Sequence, residues 1–485
     1  MTKITNSCII FSSKNIELKG SLIMPKLKGI APEIVERIPY IPLGPEEWFK
    51  EMGIEDKGGP PPMGAGPVMK PTVYVKDGKL CSEGANIETL YGGEFEDKCA
   101  KDLRIVSYDG MVGGIFCEGA DTDYTVEGAV ISLSGDGSGL GEKSAGAGVS
   151  GNATLTLKDV LIDVTGLSRT CTSASGNSVL KVYDSVLASH GAPYGKDCPG
   201  EAPKTSPPAA LEIEGNNRTH CTIQQSYSYF YNSLITCDGW AALSTDASAG
   251  FVYLEANDCK VVATKSGYGC YADWGCHDVF NNCFFDVACM AAIMAGEASV
   301  TFNSCEAKCG SYLGLIHCVM GRHTEVGEFT VTDSKIKTKK EICIVKSQNV
   351  IIDFNNCELQ PENGILVRTI KNPDPHATQV KGRPVFGDEV WFTDMNANGD
   401  ILHEDYEREM RVYLTSAVLK GAVKNATILF DLGSKWYATG DSEVVIGCEV
   451  DVAQIDAPAG VTITAKAADG QGEYDLASGG KLIVK

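Results

Sequence analysis

The sequence predicts an all-β solenoid, a parallel β-helix wound from short coils. Three observations predict it. The first is a signature, a strand followed by Asn or Asp and then a small residue, that returns along residues 159–357. LTLKDV ends at Val160, LKVYDS at Ser185, TIQQS at Ser226, YLEANDC at Cys259, VFNNC at Cys283, TFNSC at Cys305, TVTDS at Ser334 and DFNNC at Cys357. The steps between these ends are 25, 41, 33, 24, 22, 29 and 23 residues, a floor of one short coil with insertions, which is the mark of stacked repeats. The second is period-two alternation within each signature, as at Leu155 and Leu157, with the β-branched and aromatic residues that favour strands. The third is the lack of a 3.6-residue pattern between signatures, and the repeat is too short for strand, helix and strand.

The Asn/Asp step predicts a bend, because a short polar side chain bonds its own backbone and tolerates left-handed geometry. Stacked coils lie about 4.8 Å apart, so equivalent residues form columns. Cys259, Cys283, Cys305 and Cys357 make one inward column of small apolar fillers. With this repeat style the chain resembles the right-handed parallel β-helix proteins of the pectin-lyase-like superfamily over residues 100–450. The tail, with Gly433, Ser434, Trp436, Thr439, Gly440 and Asp441, resembles the last coils of autotransporter-type passengers, a coil-and-cap motif.

Taken in order, residues 1–70 read as an N-terminal cap or arm. Residues 1–30 suggest a strand pair that opens the first coil, then come a short helix near 46–52 and a Pro/Gly-rich loop. Residues 71–450 form the β-helix and 451–485 the C-terminal coils and cap. VYVKDGKL is a strand–turn–strand with Asp77-Gly78 at the turn. GDGSGLGEKSAG is a turn and not a phosphate loop, because Glu142 separates Gly141 from Lys143. Residues 190–211 and 373–389 leave the coils as long loops, the kind that wall a cleft. DMNANGDILHED, from Asp394, matches much of a calcium loop. Yet VWFTDMNANGDI aligns with VYLTSAVLKGAV 22 residues on, so coil residues are the better reading.

Gly is 53 of 485 residues, about 11% against a usual ~7%, which suits a turn-rich chain. A net charge of −21 disfavours nucleic acid and anionic membrane as partners. No run reaches 18 apolar residues and the N-terminus lacks a signal-peptide core. The 19 cysteines are an odd number in columns, which reads as reduced core thiols and a cytoplasmic protein. Neither a cofactor nor a metal is expected.

Candidate chemistry comes from a polar column about twelve residues past each signature end. Asp238, Ala295, His317 and Lys346 fall there, with Arg368 one residue short and Asp273 two beyond, where Tyr271 competes. His317, Lys346 and Asp273 are the expected catalytic set. His317 is the proton shuttle, Lys346 a base or a cation on an oxyanion, and Asp273 the second proton carrier. Arg368 suits a carboxylate grip. Asp238, Tyr271, Trp274, His277, Tyr229, Trp240, Arg322 and His323 complete the expected binding set, part of an aromatic concentration with Tyr227, Tyr231 and Tyr268.

The polygalacturonase motifs and the Trp–x–Asp–His pattern of pectate lyases are absent, so the resemblance does not imply a standard pectinase. Two functions remain. One is a metal-independent lyase or isomerase/epimerase that abstracts a proton from a small cyclic substrate, a sugar acid, polyol or phenol. The other is a non-catalytic β-helix that binds or scaffolds. A homo-oligomer is compatible with either.

Overall fold

A computed structural model describes residues 25–33, 69–137, 142–191, 207, 211–246, 251–317, 326–373 and 387–485. These residues wind into coils of three strands, one for each wall of a parallel β-helix. One coil shows the plan. Cys276–Asn281 lies in the first wall, Phe284–Val287 in the second and Met290–Ala295 in the third. The next coil, Ser299–Asn303, Glu306–Cys309 and Gly314–His317, repeats it. Every strand of the first coil pairs in parallel with its counterpart: Phe280 with Phe302, Phe285 with Ala307 and Ile293 with Leu315.

The core follows from that alternation. Inward residues stack coil on coil, and Phe280 and Phe302 lie 5.3 Å apart with near-parallel rings, with Phe285 edge-on to both at 5.0 and 5.2 Å. The bends between the first and second walls are left-handed, with Asp258, Asn282, Ser304 and Asn356 at φ +54°, +52°, +53° and +51°. Their side chains also form a ladder, with Asn282 Nδ2 donating to Asp258 Oδ1 at 2.6 Å and Asn356 Nδ2 to Asp333 Oδ1 at 2.6 Å. Because a Cβ disfavours this conformation, Asn282→Ala should cost about 1 kcal/mol in urea unfolding and Asn282→Gly less. Equal costs would remove the backbone explanation.

Cys259, Cys283, Cys305 and Cys357 are buried in the expected column. Ser226 is not their counterpart. Ser233 is, 48 residues after Ser185, whose backbone N–H bonds its hydroxyl. The insertion after His190 sits inside this coil, and TIQQS is a third-wall strand, His220–Ile223, with its bend, so Ser226 aligns with Ser178 ahead of the next first-wall strand.

The hairpin at Asp77-Gly78 is present, with both residues at positive φ and Lys76 paired with Lys79. The alignment of Val390 with Val412 is the true register. Asp394, at φ +50°, is a turn residue whose N–H bonds Thr415 O. In the tail motif Trp436 is buried and donates to Gly421 O at 2.9 Å, a bond between coils.

The N-terminal segment departs from expectation. Residues 25–33 do not open the first coil but lie against the last ones. Leu27 pairs antiparallel with Val450, Ile30 N–H donates to Ile446 O at 2.8 Å, and Arg411 donates to Glu33 O at 2.7 Å. Leu27 is fully buried there, so its apolar side chain extends the core. The helix expected near 46–52 lies outside the described residues. No described helix is long and apolar enough to cross a membrane.

Candidate functional site

The third wall differs from the other two. Over three successive coils its strands are buried on both faces: all residues of Met290–Ala295, Gly314–His317 and Cys343–Lys346 are buried. Inward go Ala292, Met294, Ile316 and Val345. Outward, Ile293, Leu315 and Ile344 join Leu211, Ile213, Trp240, Tyr268 and Tyr312 in a second apolar cluster. Leu211 and Ile213 follow the insertion after His190, so that stretch returns across the outside of the wall.

At the edge of this cluster, where the third wall turns into the next coil, the ionisable column stands. Ala295 pairs with His317 and His317 with Lys346. Ala272 pairs with Met294, so Asp273 precedes Ala295, and Thr245 pairs with Ala272, so Asp246 precedes Asp273. His317 has the same parity as Leu315 and therefore faces outward. Adjacent coils are about 4.8 Å apart, which puts His317 beside Lys346 and two coils from Asp273. Small residues separate them. The Trp274 ring lies against Gly296, where an added Cβ would fall 2.3 Å from Cδ1, and Gly296 N–H donates to His317 O at 3.1 Å.

Exposure separates a site from an ordinary ladder of surface charges. His317 and Lys346 are 3% exposed and Asp273 9%. Groups left outward merely to be solvated would be open to water, and these three are withdrawn from it, which makes them candidates for function.

Lys346 Nζ lies 2.9 Å from Glu212 Oε1. Burial pushes the Glu212 carboxyl up, but Lys346 and then Lys340 pull it down further, leaving it below its usual value. Of the two roles expected of Lys346, base or cation on an oxyanion, a carboxylate at this distance suits the second. Glu212 also accepts from Tyr312 Oη and Lys340 Nζ, both at 3.2 Å.

Several expected members lie elsewhere. Arg368 pairs with Ile344, whereas Ile370 pairs with Lys346. Arg368 is thus on the same wall but two residues off the column, held by Glu404 at 2.8 Å and Glu341 at 3.7 Å. Asp238 leaves the column altogether. It follows Cys237 at the end of the second wall, where Lys265 Nζ at 3.0 Å and Gly191 N–H at 2.9 Å hold it. Tyr271 aligns with Ile293, so Asp273 takes the position the two contested. Burial pushes the Tyr271 phenol well up.

The aromatic set divides between walls. Trp240, Tyr268 and Tyr271 belong to the third. Tyr229 and His277 stand on the first, in an outer aromatic face with Tyr227, Phe251 and Tyr253. There Phe251 and His277 stack at 4.6 Å and Tyr229 and Tyr253 lie 5.9 Å apart. His277 Nδ1 is 2.7 Å from Ser299 Oγ, and burial lowers its basicity. Arg322 and His323 lie outside the described residues.

Counting along the chain missed Glu212, Arg218 and Asp246. Arg218 Nη1 is 2.6 Å from Asp246 Oδ2, and its guanidinium lies 4.8 Å from the Trp240 ring centre. Both Arg218 and Glu212 lie in the 48-residue coil, where no period marks them. Among the described residues no group of three or more His, Cys, Asp or Glu side chains is placed to hold a metal ion.

Compared with protein-family models, with curated proteins and with solved structures, the chain matches none.

Proposed function

We propose that the chain is an acid–base enzyme, a lyase or isomerase/epimerase, that acts on a small cyclic sugar acid at the outer face of the third wall. The observation that carries this reading is the run Asp273, Ala295, His317 and Lys346 on successive coils, outward yet almost withdrawn from water. In this reading His317 removes the proton from the carbon beside the substrate carboxylate. The electron pair moves into the enolate, and the Lys346 ammonium faces the oxygen that gains charge. Asp273, two coils away, delivers a proton to the other side of the ring or to a leaving group. Ala295 puts no long side chain between Asp273 and His317, and Trp274, packed on Gly296, offers the ring a flat partner.

The three-walled coil and its Asn/Asp bends support a place among the right-handed pectin-lyase-like β-helices. Buried free thiols such as Cys259, Cys283 and Cys305 support a reducing, cytoplasmic setting. The acidic chain then has a small molecule as its partner rather than nucleic acid or membrane.

The test is solvent-deuterium exchange into a panel of sugar acids, followed by NMR. Wild type should exchange the proton next to the carboxylate, and His317→Gln should slow exchange by about 100-fold or more. Undiminished exchange in His317→Gln would remove the assignment. A second reading, a non-catalytic glycan-binding β-helix, is favoured by the outer aromatic face of the first wall. It predicts sugar binding lost in Tyr229→Ala with no exchange in any variant.

A further inference from the structure

Glu212 is held in an unusual way. Its neighbours Leu211 and Ile213 sink into the outer apolar cluster with Ile293, Leu315 and Ile344. Between those two anchors its backbone is left-handed, φ +58°, a conformation disfavoured for a residue with a long side chain. The result is a carboxylate aimed at two ammonium groups and a phenol: Lys346 Nζ at 2.9 Å, Lys340 Nζ at 3.2 Å and Tyr312 Oη at 3.2 Å. Lys340 also lies 4.9 Å from the Tyr312 ring centre and bonds its hydroxyl at 3.2 Å, so these two donors hold each other in place.

All three donors converge on the Glu212 carboxylate. The Lys346 side chain is 4% exposed, while Glu212 and Lys340 are 35% and 47% exposed. The cluster is therefore closed at its base and open on one side. Leu211 and Ile213 already anchor the stretch, so strain and charge at Glu212 add something that apolar packing does not need. Strained residues of this kind gather at ligand clamps and switches.

We propose that Lys346, Lys340 and Tyr312 form a carboxylate-binding site, and that Glu212 is a tethered carboxylate that fills it until a ligand carboxylate displaces it. This deepens the reading above and rests on it for the substrate. It names the carboxylate as the group recognised and residues 211–214 as a strap that keeps the empty site shut. The far end of the strap is fixed, because Glu214 N–H donates to Ser266 Oγ at 2.7 Å and Glu214 O accepts from Trp240 N–H at 2.8 Å. Displacement therefore needs only a local swing of the Glu212 side chain and its left-handed backbone.

The experiment compares acetate binding to wild type, Glu212→Gly and Glu212→Gly/Lys346→Met by NMR titration, with thermal unfolding followed in parallel. Glycine adopts the left-handed backbone without strain, so the first variant removes the carboxylate and leaves the turn intact. Removing an internal competitor raises apparent affinity by the inverse of the fraction open. Acetate should bind Glu212→Gly about tenfold tighter than wild type, and the gain should vanish in the double variant. Acetate binding no tighter in Glu212→Gly overturns the proposal, and so does a gain that survives Lys346→Met. If Glu212→Gly unfolds early, Glu212→Gln gives the same comparison with the side chain's shape retained. Acetate reports the site alone. A gain in acetate binding without deuterium exchange in any sugar acid leaves the carboxylate site standing and removes the enzyme. Exchange that depends on His317 without a gain in acetate binding does the reverse.

Discussion

Arg408→Met should lower the unfolding free energy by about 3–5 kcal/mol, the range for one partner removed from a buried ion pair. Arg408 Nη2 is 2.6 Å from Asp388 Oδ1 and 2.6 Å from Gln348 O. Its Nε is 3.7 Å from Asp405 Oδ2, and Asp405 also accepts from Ser347 Oγ at 2.8 Å. The side chains of Arg408 and Asp388 are 5% and 1% exposed. Burial raises the Asp388 carboxyl even with Arg408 beside it, so removing the guanidinium leaves a carboxylate without its cation in the corner that follows Lys346. Urea unfolding measures the loss. Arg408→Met/Asp388→Asn should recover most of it, because the stranded charge is gone. A double variant as unstable as the single one would mean that the loss is of packing and not of charge.

His220 should make the protein acid-sensitive. It is fully buried in the core, with Nδ1 2.9 Å from Thr172 Oγ1, Nε2 2.6 Å from Thr222 Oγ1 and its ring edge-on to Phe230 at 4.8 Å. Burial pulls its pKa from 6.5 down to about 3. The unfolded chain therefore takes up a proton near pH 6.5 while the folded protein does not. This group's contribution is complete above pH 6.5 and is lost as pH falls toward about 3, at about 1.4 kcal/mol per pH unit. Other groups titrate in the same window, so the measure is the stability difference between wild type and His220→Gln from pH 7 to 4. That difference should shift toward the variant as pH falls. A difference that does not change with pH would show that the imidazole is protonated in the folded state or reached by water. Asp278 acts with the opposite sign. It is fully buried and burial raises its carboxyl well above the usual value, so the stability tied to it is present at low pH and is lost as pH rises.

The residues that wind the chain carry their own local signals. Asn282 and Asp258 favour the left-handed bend, Phe302 alternates with Thr301 and Asn303, and Cys283 and Cys305 fill the same corner one coil apart. Each signal reads within a few residues, so the repeat is visible without any long-range contact. The pairing of His317 with Lys346 was legible in the same way, since only regular turns separate them from the signatures. Arg368 lies off the column because its coil is one residue longer before the third wall, and Asp238 because Ser233, not Ser226, ends the signature of its coil.

Composition and period by themselves determined the architecture, because a residue's wall and its inward or outward aim follow from alternation and coil length. Which charges meet across segments that leave the regular coils was decided only by the tertiary structure. Glu212 reaches Lys346 across 134 positions of sequence, and Lys26 reaches Glu449 across 423. The physical reason is that a strand's hydrogen bonds and side-chain parity are set by its neighbours, whereas a segment that leaves the coil is placed by whichever apolar surface it covers.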